Sequence, residues 1–189
     1  LILGDMDLDL TDFGAVAGDI SSAHVIEQLW LFLVPIGLIM AYYGLTVIHG
    51  TIGKGENGEA LFKLGMPMFA INVFATVIGL GGLWQAQAWG GSSGPDIAAV
   101  AQGISFYAGM IGAIGVMFIA LALSTRDEFN TIFAYIVALV FLIVAILSIV
   151  GMANFTEDTL KIVNMLFGIG YIIISIWSIT LGLNMLKRA

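Results

Sequence analysis

The chain has 189 residues, of which 60% are hydrophobic and only 10% charged, with a formal net charge of −7 and a mean hydropathy of +1.05. Soluble domains carry about a quarter charged residues, so this composition excludes a water-soluble globule, a disordered chain and a nucleic-acid binder. The absence of cysteine excludes disulfides, thiolate metal sites, iron–sulfur clusters and cysteine nucleophiles.

The first segment, 1–22, reads as an external acidic arm. It has no basic stretch ahead of an apolar one, so it is not itself a signal peptide. A start on Leu1 with an outside N-terminus agrees with removal of a leader. Asp5, Asp7, Asp9 and Asp12 have the spacing of a calcium loop, but Leu10 stands where that loop needs glycine and Val16 where it needs glutamate. Solvation or weak cation attraction is the better reading of these acids.

A bilayer core of about 30 Å takes about 20 apolar residues in helix. Five runs meet that requirement: 25–48, 60–89, 96–123, 129–152 and 159–186. The polar breaks between them are too short to hold a domain, so 23–189 is expected to form one bundle with tight connections. The fold class is therefore all-α, a polytopic bundle of five transmembrane helices. Thr125 with Glu128 matches a capping box opening the fourth span. Thr156 followed by Glu157 and Asp158 opens the fifth, and Pro95 with Asp96 the third.

Basic residues in short loops favour the cytoplasmic side. With the N-terminus outside and the C-terminus cytoplasmic, Lys54, Lys63, Arg126, Lys187 and Arg188 fall inside and Lys161 alone outside. The acids divide the other way, with the arm, Glu27, Asp96, Glu157 and Asp158 outside. Trp30, Trp84 and Trp89 lie near outer span ends as an interfacial belt would, whereas Trp177 does not. Asn154-Phe155-Thr156 is an N-x-T acceptor in the outer fourth loop. The cell membrane is the expected location.

The span interiors contain no Asp, Glu, Lys or Arg. Ion-coupled carriers and retinal proteins use such groups, so both readings are disfavoured. His24 and His49 are separated by about 37 Å of helix and cannot share a metal or haem within one chain. His24 and Glu27 share one helical face at i and i+3, and a carboxylate from the arm could complete an outward metal site with them. Gly53-Lys54-Gly55 lacks the pattern of a phosphate loop, and no nucleophilic triad or cofactor ligand set is evident.

Small and polar residues mark where membrane helices associate. The fifth span carries Asn164, Gly168, Tyr171, Ser175, Ser178 and Gly182 at heptad spacing, and the third carries Gln102, Ser105, Gly109, Gly112 and Val116. The first presents Gln28, Pro35, Tyr42 and His49, and the second Asn72, Thr76 and Gly79. These seams read as helix packing, or as a narrow uncharged lining built from Gln28, Tyr42, Asn72, Gln102, Asn164 and Ser175. The fourth span is almost uniformly aliphatic and is expected to face lipid or an apolar partner.

Three functions fit. The leading one is a small non-catalytic subunit packed within a larger membrane complex, in contact with lipid, other subunits or copies of itself. The alternative is a homo-oligomeric channel or facilitator for a small neutral solute or cation. The third is a membrane enzyme with an outer metal site at His24 and Glu27.

Overall fold

A computed structural model describes residues 11–22, 25–52, 55–89, 93–154 and 156–186. They form six helices: α1 (Phe13–Ser22), α2 (Val25–Thr51), α3 (Glu59–Trp89), α4 (Gly94–Ser124), α5 (Thr131–Ala153) and α6 (Glu157–Leu186). No strand occurs among the described residues. The last five helices are long and apolar enough to cross a membrane, which makes this a multi-pass membrane protein. Their bounds lie within three residues of those expected from the charge-free runs.

Helix starts follow local chemistry. Asp12 caps α1, its Oδ1 accepting from the backbone N–H of Gly14 at 2.9 Å and of Ala15 at 3.0 Å. Asn130 caps α5 by accepting from Phe133 N–H at 3.0 Å. Thr156 stands ahead of α6 with its Oγ1 3.4 Å from the N–H of Thr159, and Pro95 lies in the first turn of α4. The expected capping box at Thr125 is not formed. Thr125 instead closes α4, donating its hydroxyl to Ala122 C=O at 2.8 Å. Glu128, the other half of that box, is held by Arg126 at 3.3 Å.

The five long helices pack in succession as neighbours, and all of them contribute to a single core. The closest pair is α3 with α4. On α3 the inward face runs Phe62, Gly65, Phe69, Asn72, Thr76, Gly79 and Leu83, alternating steps of three and four. Against it α4 sets Ile119 and Gly115, then Gly112, Ser105 and Ala101 in descending order, the register of an antiparallel pair. α4 is the central helix: half of the residues in its apolar stretch are buried, against 17% in α2 and 22% in α6.

The face of α5 follows the sequence expectation of an outward aliphatic surface, whereas that of α6 differs from it. On α5 the small residues Ala134, Ala138, Ala145, Ser148 and Gly151 turn inward, and Ile132, Leu139, Ile143, Ile146 and Ile149 turn outward. On α6 the buried set is Leu160, Val163, Gly170, Ile174, Trp177 and Leu181, adjacent to the polar heptad seam and not on it. Trp177 is 3% exposed and belongs to the core, which explains its absence from the interfacial belt.

Part of the expected acidic arm is structured. α1 lies on the ends of α3 and α4 through Val16, which packs with Leu83, Ala98 and Ala101. At the opposite end of the bundle Arg126 joins two connections by pairing with Glu56 and Glu128. Gly58 (φ +86°) fits beneath this clasp: a Cβ there would stand 2.6 Å from the carbonyl oxygen of Ala122.

Candidate functional site

The most distinctive polar arrangement lies at the centre of the bundle. Asn72 on α3 is 6% exposed, and Thr76 one turn later is also buried. The hydroxyl of Tyr171 on α6 faces both side chains. These residues meet because α3 turns its heptad face toward α4 and because α4 offers glycine at the matching level. A Cβ on Gly112 would stand 2.5 Å from Cβ and Cγ of Asn72, so the amide occupies space that any other residue at 112 would fill. One turn away, a Cβ on Gly109 would lie 2.8 Å from the Phe167 ring. That ring meets Phe106 edge-on at 6.2 Å.

Around Asn72 the helices leave a cavity of about 20 Å³, measured as space open to the centre of a water-sized sphere. Each of the five long helices lines it, α2 through Leu38, α5 through Phe141 and α6 through Phe167, Tyr171 and Ile174. Its walls are apolar apart from Asn72 and Tyr171. The Oδ1 atom of Asn72 is buried without a hydrogen-bond partner. Such a cavity has room for one water-sized guest.

The other expected lining residues stand elsewhere. Tyr42 on α2 packs against Phe69, with ring centroids 6.4 Å apart and planes inclined by 38°. Gln102 is half-buried on α4, ten residues or about 15 Å along the helix from Gly112. Asn164 is half-buried on α6, seven residues or about 10 Å from Tyr171. Ser175 is exposed, and its hydroxyl donates to the Tyr171 carbonyl of its own helix at 2.6 Å. Gln28 and Glu27 belong to α2, but their side chains lie outside what is described, and His24 lies outside the described residues. Among the described residues no group of three or more His, Asp or Glu could hold a metal ion.

A second polar site occupies the end of the bundle near Arg126. Its guanidinium is held protonated above the ordinary arginine value, chiefly by its hydrogen bond to Glu56 and against the effect of burial. Nearby, the ring of His49 at the end of α2 stacks on Phe62 at 5.3 Å. Glu59 pairs with Lys63 and accepts from Gly55 N–H at 2.6 Å. The pair of Arg126 with Glu56 joins the α2–α3 connection to the α4–α5 connection, and the other contacts order the α2–α3 turn itself.

The sequence marked Asn72 and Thr76 through their four-residue spacing in a charge-free span, and Tyr171 through the α6 seam. Phe141 and Phe167 carried no such mark, because an aromatic in an apolar run reads alike whether it faces lipid or a cavity. Compared with family models, with curated proteins and with solved structures, the chain matches none.

Proposed function

We propose that this chain is a small non-catalytic subunit of a larger assembly in the cell membrane, with its N-terminus outside and its C-terminus cytoplasmic. The observation that carries this reading is the outward seam of α6. Gly168, Ser175 and Gly182 recur every seven residues, Ser175 is exposed, and among the described residues no neighbour beyond the local helix backbone lies within 4 Å of where a Cβ on either glycine would be. Seams of this kind let membrane helices approach closely, and lipid alone gains nothing from them. α2 presents the same feature through Gly37 and Gly44, which are also seven apart and open. α2 and α6 are the least buried of the five long helices, so the two most weakly held ones carry the surfaces that suit a partner.

The orientation rests on the basic residues. Lys63 and Arg126 lie at the end of the bundle that joins α2 to α3 and α4 to α5, and Lys161 at the other. Partners are lipid together with other membrane subunits or copies of this chain. A channel within a single copy is the weaker reading, since the central cavity admits about one water and is mostly apolar.

The test is the native mass of the complex extracted in mild detergent from its own membrane, with every protein in the band identified. Other polypeptides in the band support the subunit reading. Multiples of the 20.1 kDa chain alone transfer support to a homo-oligomeric channel, and flux through proteoliposomes then decides. A band at the mass of one chain overturns both.

A further inference from the structure

We propose that the centre of the bundle is a binding site for one water molecule, held by Asn72 with the hydroxyl of Tyr171. A buried amide oxygen without a partner pays its full desolvation penalty, so a site that keeps one has reason to supply a donor. Asn72 is 94% buried by its 6% exposure, and its Oδ1 has no partner within the chain.

The amide offers two donors and two acceptor lone pairs, whereas a phenol hydroxyl has one proton to give. Turning the amide over would let Oδ1 accept from Tyr171 and leave the NH2 group in need of an acceptor. In both orientations one end of Asn72 looks beyond Tyr171 for its partner. Water is the molecule that both donates and accepts in so small a space.

The dimensions agree. A cavity needs about 10–15 Å³ of this measure to hold a water, and here it is about 20 Å³. A bound water needs two or more polar partners. Asn72 and Tyr171 line the cavity, and the Thr76 side chain faces the same hydroxyl. An ion would be a poor occupant, because no charged side chain lines the cavity to offset its desolvation. Phe69, Phe141 and Phe167 give the walls their apolar character.

The experiment is water-edited solid-state NMR on the full chain, isotope-labelled and reconstituted in lipid bilayers. Magnetisation from water is expected to reach the Asn72 side-chain amide, while the backbone amide of Ile119, fully buried on the same core, receives none. The Asn72 signal is identified by its loss in Asn72→Leu. Should that variant fail to fold, Asn72→Gln, which moves the amide, identifies it instead. An Asn72 amide as dry as Ile119 overturns the proposal. This result is independent of the native mass, so the water site and the subunit reading fail separately.

Discussion

Gly65 and Gly115 meet backbone to backbone: a Cβ on Gly65 would stand 2.6 Å from the carbonyl oxygen of Gly115, and one on Gly115 2.9 Å from that of Gly65. This contact lets the α3 and α4 backbones meet directly, on the same face along which Asn72 meets Gly112. Gly115→Ala is therefore expected to destabilise by about 1–3 kcal/mol, because its Cβ would also stand 2.8 Å from Met68 Cβ and from the Phe69 nitrogen. Gly44→Ala on α2, with open space around it, is expected to be neutral or to stabilise by up to about 1 kcal/mol. Thermal unfolding of both variants in the same detergent checks the contrast. Equal midpoints would show that α3 and α4 do not depend on that contact.

The turn before α3 makes a different demand. Gly58 has φ +86°, and a Cβ would stand 2.6 Å from Ala122 O and 2.9 Å from Thr125 Oγ1. Gly58→Ala is expected to lose at least about 1–2 kcal/mol from the left-handed backbone alone. Gly55 has a similar φ of +82° but open surroundings, so Gly55→Ala isolates the backbone cost. Unfolding midpoints of the two variants separate strain from collision.

Arg126 links connections that are 70 residues apart through Glu56. Arg126→Ala is expected to cost about 1 kcal/mol, and Arg126→Lys to recover only part of it, since lysine lacks the planar fork that reaches two carboxylates. The folded state holds the arginine proton more tightly than the unfolded chain does. Its contribution is thus complete below the ordinary arginine value and lost only as pH rises through the folded one. The stability gap between wild type and Arg126→Ala should stay constant across neutral and moderately alkaline pH and shrink in high salt. A gap that changes near neutrality would assign the clasp to another titrating group.

The outward seam of α6 predicts a loss of assembly without a loss of fold. Ser175→Leu and Gly182→Leu place bulk on exposed positions and should change the stability of the isolated chain by no more than about 0.5 kcal/mol. The native band extracted from the membrane should fall in mass. An unchanged band would remove this seam from any interface.

A double-mutant cycle of Tyr171→Phe with Asn72→Leu addresses the central cluster. The two side chains face each other, so a coupling of about 0.5–3 kcal/mol is expected from unfolding free energies. Additive effects would mean that the hydroxyl and the amide do not share one site.

The sequence by itself determined the five long helices, their order and their bounds to within three residues, because a charge-free run of about 20 residues has few other stable forms in a bilayer, whereas the short helix α1 inside the acidic arm carried no such mark. It also marked the inward face of α3, whose polar and small residues Asn72, Thr76 and Gly79 keep a single period. Only the tertiary structure decided which face of α6 turned in. There one stripe of Leu160, Ile174 and Trp177 turned in and one of Gly168, Ser175 and Gly182 stayed outward, with Tyr171 between them reaching the central cavity. Likewise Thr125 and Asn130 both suit a helix start, and the choice fell to Asn130 once Arg126 had engaged Glu128. Periodicity reports that a helix has a distinct face, but which face is buried depends on the shapes of the neighbours it meets.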